Sequence, residues 1–234
     1  MTFRAQAVQF TIRSLLGVLC KVDAAEMERI PHQGPLIIVV NHINFLDAPV
    51  GFTNMYPRPV VALVKKETFD NPLIGFLFDT WGGIPIRRGE ADLAAFQKAR
   101  EELARGKILV VAPEGTRSNI GKLLKAHPGV ILLALKSGAP ILPVGYFGSE
   151  RFRDNISRLL RTEVHIRVGN PFRLVNPGQP SREALDTMIA EVMYQLAALL
   201  PPAYRGHYSD LHQATETHLQ FDEGVESNLR RAGF

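Results

Sequence analysis

Short aliphatic runs alternate along the chain with segments of helical periodicity, and this alternation most constrains how the chain can fold. Residues 35–40, 60–64, 108–111, 141–147 and 163–168 read as strands. The runs at 35–40 and 108–111 are apolar without alternation, the pattern of strands buried on both faces. Segments 72–81, 90–105 and 130–137 read as helices between them, with Gly106 a stop for the second. Ser181 can cap a last helix that lines up Leu185, Ile189, Val192 and Leu196 and stops at Pro201-Pro202. The expected fold class is α/β: a single mixed, largely parallel sheet covered by helices, with an N-terminal amphipathic helix. The expected layout is an N-terminal interface-helix region over 1–30, a catalytic domain over 31–204 and a polar C-terminal tail over 205–234.

Bulk properties narrow the function classes. A chain of 234 residues suffices for one large domain with a substantial core. With 46% apolar and 21% charged residues it is not a disordered sequence. Cys20 is the single cysteine, so no internal disulfide can form and a reducing compartment is the natural setting. The net charge of +4 favours anionic partners without choosing among nucleic acid, acidic lipid and phosphorylated metabolites. No nucleic-acid motif or aromatic-interleaved basic stripe appears, so nucleic acid is not an expected partner.

No stretch reaches the ~20 uninterrupted apolar residues that cross a bilayer. Residues 8–20 come nearest, but Arg13 interrupts them and Lys21 ends them. As a helix, this segment groups Val8, Ile12, Leu15, Leu16 and Leu19 on one face. That pattern suits a helix packed on a core and one lying in a membrane interface equally well.

Three polar clusters stand where the strands end, the usual place for chemistry in α/β domains. Asn41-His42-Ile43-Asn44-Phe45-Leu46-Asp47 follows the first strand. An imidazole takes up a proton near neutral pH, and a carboxylate can fix its tautomer and stabilise the imidazolium. Five residues apart, the two do not stack on a regular helix, but a loop entering a helix at Asp47 can join them. The same residues also fit a surface histidine beside a helix-capping aspartate. The second cluster, Glu114-Gly115-Thr116-Arg117, offers a tight turn, a hydroxyl and a two-pronged phosphate ligand. It equally fits a polar turn with a structural Glu–Arg pair. The third, Gly82-Gly83-Ile84-Pro85-Ile86-Arg87-Arg88, turns closely and then carries paired arginines. No nucleotide-binding P-loop, Gly-x-Ser-x-Gly elbow, His-Glu-x-x-His or clustered Cys/His set is present, so no metal site is expected.

Taken in order, Asn-His-x4-Asp, Gly-x-x-x-Ile-x-Arg and Pro-Glu-Gly-Thr-Arg-Ser resemble the motif blocks of the glycerolipid acyltransferase family. Its best-known members are the 1-acyl-glycerol-3-phosphate acyltransferases. Residues 134–144, ending in Pro140-Ile141-Leu142-Pro143-Val144, are similar to that family's fourth block. The resemblance implies transfer of a fatty acyl group from an acyl thioester to the sn-2 hydroxyl of lysophosphatidic acid, giving phosphatidic acid. It makes His42 the base and Asp47 its orienting partner. It gives Arg88, Glu114, Gly115, Thr116, Arg117 and Lys65 to the acceptor phosphate, and Pro143 to the acyl-binding wall. It implies no cofactor, with acyl-CoA or acyl carrier protein as co-substrate. The partners it implies are lysophosphatidic acid, the acyl donor and an acidic membrane surface, at the cytoplasmic face of the membrane. Arg87 stands where the family often has an acidic residue. Glycerol-3-phosphate, another lysolipid lacking phosphate, or a non-catalytic role in binding acidic lipid remain alternatives.

Overall fold

The computed structural model describes residues 3–55, 57–87, 92–175 and 178–233, with side chains from Gln6 onward. The chain runs α1 (Phe3–Leu19), β1 (Cys20–Asp23), β2 (Leu36–Val40), α2 (Asp47–Met55), β3 (Val60–Lys65), α3 (Pro72–Thr80), β4 (Gly83–Ile86) and α4 (Leu93–Ala104). It continues through β5 (Ile108–Val111), α5 (Gly129–Ser137), β6 (Ile141–Phe147), α6 (Phe152–Ser157), β7 (Thr162–Val168) and β8 (Arg173–Leu174). The last elements are α7 (Arg182–Ala197), β9 (Leu219–Gln220) and α8 (Asn228–Arg231).

Seven strands form one sheet in the order β1-β7-β6-β2-β5-β3-β4. Every neighbouring pair is parallel except β6 with β7. The expected mixed, largely parallel α/β fold is therefore what the chain adopts. Strand alternation sends Ile37, Val39, Leu109 and Ile141 into a core under α4, α5 and α7. Leu36, Ile38, Val40, Leu142 and Val144 point the other way, towards α1 and α2. A full burial of this kind contributes about 1.5–3 kcal/mol per large aliphatic side chain. Because β2, β3, β4, β5 and β6 run parallel, their carboxyl ends share one edge, where α/β sheets hold their ligands.

Two features differ from the pattern read in the sequence. In α1 the buried residues are Gln9 and Leu16, whereas Leu15 is exposed with Phe10 and Val18. Gln9 faces inward because its amide donates to the Phe52 carbonyl at 3.1 Å, which satisfies a buried polar group. The helix thus docks by one edge and turns a second apolar face outward. Among the described residues no helix is long and apolar enough to cross a membrane.

The other feature is α7, whose apolar stripe was expected on one side only. From Met188 to Leu200 nearly every residue is buried, Glu191 and Gln195 included. The segment after residue 204 supplies the cover. Tyr208, Leu211, Leu219 and Leu229 enter the core, and β9 pairs with β8. The Glu191 carboxylate accepts from Thr215 Oγ1 and from the Thr217 and His218 backbone N–H groups.

Candidate active site

The site begins where β2 ends. Asn41, 1% exposed, continues the sheet with its side chain. Its Nδ2 donates to the Tyr146 carbonyl at 2.8 Å, and the Tyr146 N–H donates back to its Oδ1 at 2.7 Å. The side-chain amide thus pins the end of β2 to β6 as the backbone turns away.

The turn that follows closes on Asp47, the first residue of α2. One carboxylate oxygen, Oδ2, accepts the Ile43 N–H at 2.6 Å and the Asn44 N–H at 3.0 Å. That same Oδ2 lies 2.8 Å from His42 Nδ1. Asn44 braces the turn twice, accepting from the Leu46 N–H and donating to the Ser149 carbonyl. Asp47 is 8% exposed, and Ser149 Oγ donates to its other oxygen at 3.4 Å. With Nδ1 engaged by a carboxylate, the neutral imidazole carries its proton there, and Nε2 presents a lone pair. His42 itself lines a cleft at this edge of the sheet.

A second loop grips the first. Glu114, after β5, accepts the His42 N–H at Oε1 (2.9 Å) and the Leu124 N–H at Oε2 (2.8 Å). Further along, the Ser118 N–H donates to the His42 carbonyl at 2.8 Å and the Asn119 N–H to the Ile43 carbonyl at 2.9 Å. Both backbone polar groups of His42 are therefore held by the segment 114–119. Gly115 makes the required turn at φ +67° with His127 beside it, a conformation side-chain-bearing residues rarely adopt. Burial pushes the Glu114 carboxyl up to about 7 against the two N–H bonds, and the charge on Asp47 adds to the rise. Burial likewise raises the Tyr146 phenol, again with help from Asp47.

A cleft of about 1400 Å³ opens along the carboxyl edge of the sheet, with His42 and Asp47 on its wall. One arm runs under α2 and is apolar, lined by Val40, Phe52, Met55, Val64, Phe78 and Tyr146. The mouth is cationic: Lys65, Arg87 and Arg117 line it together with Thr116 and Gly115. Lys65 Nζ lies 3.7 Å from Glu67, an exposed pair worth little to stability. Arg117 makes no hydrogen bond or ion pair among the described residues. Arg88 lies outside the described residues.

Two expected site residues have other placements. Glu114 is 2% exposed and both its oxygens are committed to backbone N–H groups, so it holds His42 rather than a phosphate. An ionised carboxylate would in any case repel that anion. Pro143 pairs with Val39 inside the sheet and packs against Gly169, not against the cleft. The alternation of β6 puts Pro143 on the α7 face and sends Tyr146 into the cleft instead. Asn41, Tyr146 and Ser149 are the site residues that sequence reasoning left without a role. Asn41 directly before His42 was the one visible signal, whereas the other two arrive from β6 and the turn after it only through the fold.

Comparison with known proteins bears on the family. A family model described as Acyltransferase matches residues 21–147. A lyso-ornithine lipid O-acyltransferase from Pseudomonas aeruginosa is 31% identical over 155 residues, which cover 58% of this chain and 59% of that one. A 1-acyl-sn-glycerol-3-phosphate acyltransferase from Chlamydomonas reinhardtii is 27% identical over 183 residues, 77% of this chain and 53% of that one. The chain thus spans little more than half the length of these curated relatives. Among solved structures, the 1-acyl-sn-glycerophosphate (LPA) acyltransferase PlsC from Thermotoga maritima superposes with a TM-score of 0.59 at 25% identity. That match covers 80% of this chain and 76% of the other.

Proposed function

Because the chain belongs to the acyltransferase family, we propose that it moves a fatty acyl group from an acyl thioester to the sn-2 hydroxyl of lysophosphatidic acid. The observation that carries this reading is the His42–Asp47 contact of 2.8 Å at the junction of an apolar arm and a cationic mouth. His42 Nε2 takes the proton of the acceptor hydroxyl as its oxygen attacks the thioester carbonyl. The tetrahedral adduct then collapses, the C–S bond breaks, and the imidazolium returns its proton to the departing thiolate. Asp47 keeps the imidazole in the competent tautomer and stabilises its charged form. The atoms and protons balance without a metal, a redox group or a covalent enzyme intermediate.

The apolar arm suits an acyl chain. At the mouth, Arg117 and Lys65, with Arg88 by family resemblance, suit the acceptor's phosphate. The enzyme would reach its lipid as a peripheral protein on an acidic membrane. Phe10, Leu15 and Val18 of α1 and Leu159 and Leu160 before β7 are exposed. Arg161 joins the two sets by donating to the Gly17 and Cys20 carbonyls. Apolar insertion and attraction to acidic headgroups would then add.

A lyso-ornithine lipid, which lacks phosphate, is the second acceptor in view, because a relative of 31% identity carries that name. Purified protein offered lysophosphatidic acid, glycerol-3-phosphate and a lyso-ornithine lipid with acyl-CoA or acyl carrier protein should esterify lysophosphatidic acid fastest. Preference for the ornithine lipid would transfer the assignment to that acceptor. Transfer to none of the three, from either donor, would overturn the catalytic reading.

A further inference from the structure

Besides the apolar arm, the cleft has a second arm, and it lies on the opposite face of the sheet. From the mouth it passes His127 and Gly129 and follows the seam between α4 and α5. Leu93, Phe96, Gln97 and Arg100 line it from α4 at helical spacing. Leu132, Leu133 and Lys136 line it from α5. At the far end a smaller cavity of about 310 Å³, floored by Pro35 and Leu103, shares Gln97, Arg100 and Lys136 with the main cleft. Those three side chains therefore mark the junction of two cavities, roughly 10 Å along α4 from Leu93 at 1.5 Å per residue.

The charge around this junction is uneven. Lys98, Arg105 and Lys107 share the single buried carboxylate of Glu102 as their ion-pair partner. Arg100 and Lys136 make no hydrogen bond or ion pair among the described residues. Arg100 is also half-buried, which a cation tolerates poorly without a counter-charge. Nearer the mouth the walls are apolar, with Leu93 77% and Leu132 36% exposed. The seam is thus a largely apolar channel that leads from His42 to two cations without an ion-pair partner among the described residues, with Glu101 also on the wall of the far cavity.

We propose that this seam holds the carrier half of a coenzyme A thioester, with Arg100 and Lys136 pairing its phosphates. The inference rests on the acyl-transfer reading above and deepens it. A thioester whose carbonyl carbon sits at His42 sends its acyl chain one way and its sulfur substituent another. The apolar arm under α2 takes the chain, which leaves the seam for the carrier. The phosphopantetheine arm of coenzyme A presents methyl and amide groups to such walls and ends in phosphate, for which charge-assisted bonds to Arg and Lys are the strong partners.

Steady-state kinetics of the full chain on mixed micelles tests this directly. The R100E/K136E variant, and R100Q/K136Q as the milder pair, are compared with wild type using palmitoyl-CoA, palmitoyl-pantetheine and palmitoyl carrier protein as donors. Thermal unfolding of each variant confirms that it is folded. Expected is a rise of about tenfold or more in KM for palmitoyl-CoA, with kcat and acceptor KM nearly unchanged. With palmitoyl-pantetheine, which lacks the nucleotide end, variant and wild type should coincide. An unchanged KM for palmitoyl-CoA in both folded variants overturns the seam while leaving acyl transfer intact. An equal defect with palmitoyl-pantetheine also overturns it, as does a defect confined to the carrier-protein donor. A wild type inactive with every donor would fell the transferase reading, and the seam with it.

Discussion

His42 Nδ1 lies 2.8 Å from Asp47 Oδ2 although the two residues are five apart and cannot meet on a continuous helix. The contact exists because the chain leaves β2, turns on the Ile43 and Asn44 N–H groups that Asp47 accepts, and only then begins α2. The carboxylate that holds the His42 ring also holds the turn that carries it. The His42–Asp47 geometry is therefore part of the helix entry and is preorganised by the fold.

Asp47→Asn separates the two roles of that carboxylate. An asparagine oxygen in the place of Oδ2 can still accept the Ile43 and Asn44 N–H groups and the Nδ1 proton, but it carries no charge to stabilise the imidazolium. The expected result is a fall in kcat of about 10²–10⁴ with a modest change in melting temperature, and little change in KM. A loss of folding instead would assign Asp47 a purely structural role.

Glu114 makes stability depend on pH in a defined direction. An unfolded glutamate titrates near 4.5, whereas burial holds the folded Glu114 proton up to about 7. The folded state therefore binds more protons across that window, and this group's contribution is lost as pH rises through it. In Glu114→Gln the slope should disappear. Denaturant titrations at pH 5 and pH 8 should show the wild type losing stability relative to the variant on going up. An NH2 facing the His42 or Leu124 N–H should separately cost about 1–3 kcal/mol at every pH.

Gly51 tests the apolar arm. A Cβ there would lie 2.9 Å from Tyr146 Oη and 3.4 Å from Met55 Cε, both on the cleft wall. Gly51→Ala should shorten the preferred acyl chain in a donor competition, with a net stability loss of up to about 2 kcal/mol, because crowding the buried Tyr146 costs about 1–3 kcal/mol and the helix gain offsets about 1. An unchanged chain-length profile would place the acyl chain elsewhere.

Arg117→Ala should raise the KM for lysophosphatidic acid by about 10-fold or more, since a hydrogen bond to a charged group is worth about 1.5–3 kcal/mol. With a lyso-ornithine acceptor the same variant should behave like wild type. Equal effects on both acceptors would remove Arg117 from the phosphate site.

Much of this arrangement is legible in the sequence because it is local. The uninterrupted run Leu36–Val40 declares a buried strand, and Asn41 to Asp47 follows it directly, so His42 and Asp47 stand at a strand end without knowledge of the fold. Helix α7 is visible through Ser181, whose side chain accepts the Ala184 N–H as a cap should. Long-range partners are not legible. Tyr146 and Ser149 reach Asn41 and Asp47 from about a hundred residues away. Glu114 looked like an exposed phosphate ligand because its motif is polar, and only the neighbouring loops show that they surround it. The segment after residue 204 reads as polar because its elements are short, yet its few apolar side chains complete the cover of α7.

The central claim, that His42 is the base of an acyl transfer, is tested most directly by one comparison. Purified wild type and His42→Ala, each shown folded by thermal unfolding, are given lysophosphatidic acid and a labelled acyl thioester, and labelled phosphatidic acid is counted. The account predicts robust product from wild type and a loss of at least about 10²-fold in the variant. Equal product from both proteins would contradict it.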